Sequence, residues 1–241
     1  GAWYQLGDPE QAKACYERAL AIRERAYGPE HPDVAMSLNS LGSAWYQLGD
    51  SKQALSYFER ALAILQKAYG PDHPDVATSL GNLGSAWNKL GDPRQAISYH
   101  EQALTIEEKV YGPEHPHVAT SLNNLGFAWN KLGDWNQAIE YYERALHIEE
   151  KAFGSDHPHV ATILNNLGEA LSQLGNPKQA ISYYGRALPI YEQAYGPAHP
   201  QVAATLNNLG SAWGQLEDWN QAIEYYERAL HILQAYGPEH S

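Results

Sequence analysis

Residues 74–115, PDVATSLGNLGSAWNKLGDPRQAISYHEQALTIEEKVYGPEH, decide the fold. The stretch reads as two helices joined by a tight turn. Pro74 suits a first helical position, where a missing N–H costs nothing. Val76, Leu80, Leu83 and Trp87 follow at steps of three and four, a stripe that predicts a helix from about Pro74 to Leu90. Gly91 ends that helix as a left-handed cap. Asp92-Pro93-Arg94-Gln95 then combines an N-cap aspartate, a proline at N1 and a glutamine at N3, the start of a second helix. Ala96, Tyr99, His100, Ala103, Leu104 and Ile106 continue an apolar face, and Tyr111-Gly112-Pro113 closes it. Gly84, Ala96 and Ala103 are small where two helices approach most closely, which lets ridges enter grooves beside Leu83 and Trp87.

Outward from this stretch the same pattern returns every 42 residues, at Leu6-Gly7, Leu48-Gly49, Leu90-Gly91, Leu132-Gly133 and Leu174-Gly175. The sixth copy is Leu216-Glu217. The turn His31-Pro32 recurs at His73-Pro74, His115-Pro116, His157-Pro158 and His199-Pro200. His240-Ser241 arrives one residue early, which places a lost residue near Leu233-Gln234-Ala235. The N-cap is repeated by Asp8, Asp50, Asp134 and Asp218, with Asn176 in the fifth copy. One helix pair cannot bury both its faces, so stacking makes the core. The sequence therefore predicts a single all-α array over 1–241. Its units are approximately 1–31 (partial), 32–73, 74–115, 116–157, 158–199 and 200–241.

In one unit Leu125-Gly126, Trp129, Gly133-Asp134, Ala138, Tyr142 and Ala145-Leu146 follow in order. This pattern resembles the tetratricopeptide repeat, over essentially the whole chain. The unit is longer than the family's usual one, and its second helix continues through Ile148-Glu149-Glu150-Lys151-Ala152. Val118-Ala119-Thr120-Ser121-Leu122-Asn123-Asn124-Leu125 and the turn Gly112-Pro113-Glu114-His115-Pro116 resemble the repeats of kinesin light chains and related bacterial arrays. The near identity of neighbouring units is closer to a recently expanded bacterial array. The resemblance implies a right-handed superhelical solenoid of antiparallel helix pairs. Its first helices line a concave groove where partners bind as extended peptides.

The bulk composition narrows the alternatives. A formal net charge of −12 opposes a nucleic-acid partner, which calls for a basic stripe. Cys15 is the only cysteine, so there is no internal disulfide framework, and a reducing, cytoplasmic setting is expected. No segment reaches the roughly 20 apolar residues of a membrane span, so no membrane partner is expected. No nucleophile elbow, Ser-His-Asp order or phosphate-cradling loop is present, so the chain reads as a non-enzyme with no cofactor.

The implied groove face carries Asn123, Phe127, Asn130 and Lys131 in one unit. Its equivalents are Asn39, Ser43, Tyr46 and Gln47; Ser85, Asn88 and Lys89; Asn165, Glu169 and Gln173; and Asn207, Ser211 and Gln215. An asparagine ladder offers paired donors and acceptors to an extended peptide backbone. Candidate peptide-binding residues are Asn39, Ser85, Lys89, Asn123, Phe127, Asn130, Lys131, Asn165, Glu169 and Asn207. The bland alternative is that these asparagines satisfy neighbouring helices. The adjacent ladder Asn82, Asn124, Asn166 and Asn208 reads as structural. Phe127 stands where other units have Ser43, Ser85, Glu169 and Ser211, which suggests a partner contact.

His115-Pro116-His117 and His157-Pro158-His159 invite zinc, which wants three or four ligands. The intervening proline restricts their convergence, and the regular spacing assigns each histidine to capping its first helix. No metal site is therefore assigned. The runs Glu107-Glu108-Lys109 and Glu149-Glu150-Lys151 read as solvated helix faces.

Three irregularities remain. Pro189, with Gly185 nearby, predicts a kink or a softer segment over residues 185–190. Glu217 replaces a cap glycine and must take a left-handed conformation at a cost of about 1 kcal/mol. Neither end carries a polar capping helix, so the chain is expected to be a fragment of a longer array. The uncapped ends favour an alternative role as a structural spacer that self-associates head-to-tail.

Overall fold

A computed structural model describes residues 9–236. Every regular element among them is an α-helix. The chain forms two compact units, residues 1–132 and 133–241. The first contains α1 (Pro9–Tyr27), α2 (Pro32–Gln47), α3 (Ser51–Tyr69), α4 (Pro74–Leu90), α5 (Pro93–Tyr111) and α6 (Pro116–Leu132). The second contains α7 (Trp135–Phe153), α8 (Pro158–Gln173), α9 (Pro177–Tyr195), α10 (Pro200–Gln215) and α11 (Trp219–Tyr236). Asp8, the first helix of the partial repeat and the early turn His240-Ser241 lie outside the described residues.

The caps explain the boundaries. His31, His73, His115, His157 and His199 each precede a helix that opens on proline. Their Nδ1 atoms accept from the backbone N–H two residues on, at 3.2–3.3 Å. Each imidazole stacks on the aromatic ring that ends the preceding helix, at 4.3–4.8 Å between centroids. The histidines thus satisfy one of the free donors of a helix start. Asp50, Asp92, Asp134 and Asp218 cap the second helices by accepting from Gln53, Gln95, Gln137 and Gln221 N–H at 3.0–3.2 Å. Asn176 makes no side-chain cap. Gly91 is left-handed at φ 84°, ψ 20°. Glu217 takes φ 60°, the strained conformation its position requires.

Within each unit, helices pack on their sequence neighbours, and the first helices of successive pairs also touch: α2 with α4, α4 with α6, and α8 with α10. Val34, Ala35 and Leu38 of α2, Ile64 and Leu65 of α3, and Val76, Ala77 and Leu80 of α4 form one continuous cluster. In the second unit Leu171, Ala180, Tyr184, Leu209 and Ala212 form another. Burying a Leu, Ile or Val side chain contributes about 1.5–3 kcal/mol, so each added pair deepens the core. The close approach expected at Gly84 is present. A Cβ there would lie 2.7 Å from the His100 ring, and one at Gly42 would lie 2.5 Å from Phe58.

Helix α9 runs from Pro177 to Tyr195 with Pro189 inside it. Gly185 and Pro189 are both exposed, where a lost backbone bond can turn to water. The acidic runs are not simply solvated. Glu149 is buried at 3% exposure, and Glu107 is half-buried with Oε2 closed off from solvent and from hydrogen-bond partners.

Candidate partner-binding face

Helices α2 and α4 carry a small pocket of about 250 Å³ between them, lined by Ser43, Tyr46, Gln47, Phe58, Asn82 and Ser85. Phe58 reaches it from α3, its ring held against Gly42. The hydroxyls of Ser43 and Ser85 donate to Asn39 C=O (2.9 Å) and Gly81 C=O (3.0 Å) of their own helices. Their protons are therefore committed, and their oxygens face the pocket as acceptors. Burial raises the Tyr46 phenol above its ordinary pKa, so it stays a neutral donor. Lys89 donates to Tyr46 C=O at 2.7 Å, and its ammonium lies 4.4 Å from the Tyr46 ring centroid. This fixes a positive charge at the pocket edge. The pocket thus combines an aromatic base, fixed acceptors, amide groups and one cation.

The candidate residues divide between the two units. In the first, Asn39 donates to Ser79 Oγ at 2.8 Å, while its own Oδ1 is buried and unpartnered, so it works between helices. Ser85 and Lys89 are at the pocket. Asn123 is half-buried. Phe127 is exposed at 37%, with the Lys131 ammonium 5.1 Å from its ring. Asn130 is buried at 9% with Oδ1 unpartnered, which withdraws it from the open face. In the second unit Asn165 accepts from Asn208 Nδ2 at 3.5 Å, and Gln215 donates to Ser172 Oγ at 2.7 Å. Glu169 is half-buried, and its charge adds to burial in raising the phenols of Tyr142 and Tyr184. Asn207 is exposed.

Asn39 spends its amide on a neighbouring helix, while Asn82, read as structural, lines the pocket. Phe58 was not singled out. The usable signal was Gly42, whose missing side chain leaves room for an aromatic ring beneath the helix.

The tetratricopeptide repeat family model matches residues 2–67, 45–106, 87–146, 118–193 and 160–235. Among solved structures, BtubC (BKLC) from P. vanneervenii is 25% identical with a TM-score of 0.80, covering 97% of this chain and 94% of that one. A putative kinesin light chain with nearly identical repeats from P. anserina is 24% identical with a TM-score of 0.72, covering 87% and 99%. The apo form of RapI is 14% identical with a TM-score of 0.70, covering 96% and 93%. The latter two share the fold alone. No curated protein matches the sequence. No helix among the described residues is long and apolar enough to cross a membrane. Capped helix pairs, the 42-residue repeat and family matches along the chain give one conclusion: the chain belongs to the tetratricopeptide repeat family.

Proposed function

We propose that the chain is a scaffold that binds an extended peptide or protein segment across the faces of α2, α4 and α6, with the pocket between α2 and α4 as its anchor point. Repeats of this family generally serve as protein-interaction scaffolds, which supports the coarse reading. The observation that carries the finer one is the pocket itself. Its acceptors suit peptide N–H groups, its aromatic base suits an apolar side chain, and Lys89 favours an acidic neighbour. Phe127 and Lys131 extend the same chemistry along α6.

Peptide display against the chain and against a Tyr46→Ala, Lys89→Ala, Phe127→Ala variant tests this, once the variant shows an unchanged helical spectrum. A consensus peptide should bind the parent and lose at least tenfold in affinity on the variant. Equal binding by both, or no enrichment, overturns the assignment.

A second reading rests on α11. Trp219, Ile223, Tyr226, Leu230 and Leu233 stand at steps of four, three, four and three and are 41–63% exposed. Such a stripe suits a neighbouring helix pair or a second copy of the chain. Sedimentation over a wide concentration range separates the readings: a mass that rises with concentration, and falls back in Ile223→Lys, supports self-association.

A further inference from the structure

Glu149 is an anomaly. It is buried at 3% exposure, and its Oε2 has no hydrogen-bond partner. Burial pushes its carboxyl above the usual value, and the facing histidines pull it part of the way back. A buried carboxylate is costly unless it is paired, bound to a metal or neutralised, and the groups that face Glu149 are two histidines. His159 Nδ1 lies 3.6 Å from Oε2, beyond hydrogen-bond length. His157 completes the group, and one ligand atom from each of the three residues lies within 4.8 Å of the others. Pro158 does not hold the two imidazoles apart, since their centroids are 4.8 Å from each other.

The repeats supply an internal comparison. At the positions equivalent to Glu149 and His159, the other units have Arg23 with Asp33, Leu65 with Asp75, and Tyr191 with Gln201. Only Glu107 with His117 repeats the pair. There the set is arranged differently. The Ser121 hydroxyl pulls the raised Glu107 pKa part of the way back, and His117 stacks on His115 at an interplanar angle of 18°. The residue equivalent to Ser121 in the second unit is Ile163, which has no hydroxyl to offer. His159 lies edge-on to His157 at 90° rather than stacked. Glu149 therefore lacks the neighbouring hydroxyl that Glu107 has.

The geometry points to a binding site for a zinc-type divalent transition metal formed by Glu149, His157 and His159. The donor set, two imidazoles and a carboxylate, is one that zinc takes with an open fourth position for water. Bond lengths near 2.0–2.2 Å place ligand atoms in a tetrahedral site about 3.4 Å apart, so the widest separation, up to 4.8 Å, must contract by as much as about 1.4 Å. The His159 side chain, 68% exposed, is free to make that movement, while Glu149, 4% exposed, stays fixed.

Isothermal titration of Zn2+ into the untagged chain tests the site, with His159→Ala, Glu149→Gln and His117→Ala as variants. One saturable site is expected in the parent and in His117→Ala. Affinity should fall at least tenfold in both His159→Ala and Glu149→Gln, since even outer-shell groups are worth 10–100-fold. His159→Ala changes an exposed residue, so its result stands if Glu149→Gln folds poorly. Absence of zinc binding, equal binding by parent and His159→Ala, or loss confined to His117→Ala overturns the proposal. In the first two cases the cluster is a His159–Glu149 ion pair; in the third the metal belongs to the other histidines.

Discussion

The helix pair α4–α5 of the first unit and the pair α8–α9 of the second are copies of one repeat and solve one packing problem with different side chains. In the first, Gly84 faces His100; in the second, Gly168 faces Tyr184, where a Cβ would lie 2.5 Å from the ring. Both glycines open a slot, and both slots are filled by a ring. The ring's chemistry is free to vary; the space for it is not. On the outer side the pairs diverge more. Glu101 and Thr105 of α5 correspond to Gly185 and Pro189 of α9, and the cap Asp92 corresponds to Asn176. Ala187, Ile190 and Tyr191 on the covered face remain buried. Stacking thus holds α9 helical against a sequence that would weaken it in isolation.

The largest expected effect removes that divergence. Pro189 lacks the N–H that would bond the carbonyl of Gly185, and its ring crowds that carbonyl. The two breakers are four residues apart, so the flexibility of one serves the strain of the other. Pro189→Ala should stabilise α9 by about 3 kcal/mol. Residue-resolved hydrogen exchange should show protection over 185–190 rising on the order of a hundredfold. Unchanged protection would mean that the backbone accommodates proline at no cost.

His100→Phe sharpens the comparison in the core. His100 is buried with both ring nitrogens unpartnered, and burial pushes its pKa down to about 4. Phe58 fills the equivalent slot against Gly42, so the replacement has a template in the same unit. Removing two buried unpaired polar atoms should stabilise the chain by about 1–3 kcal/mol near neutral pH. The gain should widen in acid. Between the unfolded pKa of 6.5 and the folded value of about 4, the unfolded chain binds a proton that the folded chain refuses. Stability is therefore lost as pH falls through that window, by up to about 3 kcal/mol, and His100→Phe should abolish that share of the loss. Parallel pH profiles for the two proteins would show that His100 finds a partner after all.

Much of this was legible in the sequence. The His-Pro and Asp caps are local hydrogen-bonding motifs, so spacing alone located them. Gly84 announced a close approach because a glycine inside a helix needs a packing reason. Glu149 was misread because its neighbours Glu150 and Lys151 suggested a solvated run. Its spacing carried the opposite signal: Ala138, Tyr142, Ala145 and Glu149 stand at steps of four, three and four, and all are buried. The pocket was less legible, because its base comes from α3 and its walls from α2 and α4. Which of two adjacent asparagines faces outward depends on helix rotation by a single residue.

The smallest effect concerns the cap that separates the two pairs. Asp92 accepts from Gln95 N–H at 3.1 Å, whereas at Asn176 the corresponding Gln179 N–H goes to the backbone carbonyl, also at 3.1 Å. The donor is already answered, so Asn176→Asp adds mainly a charge at the helix start. That interaction is worth about 0.3–1 kcal/mol and weakens with salt. The reciprocal change, Asp92→Asn, should cost a similar amount if asparagine there also turns to the backbone bond. Thermal denaturation at low and high salt distinguishes the terms. A gain at Asn176→Asp that survives high salt would show a restored side-chain cap, and a gain that vanishes would leave charge alone as the difference between the two helix starts.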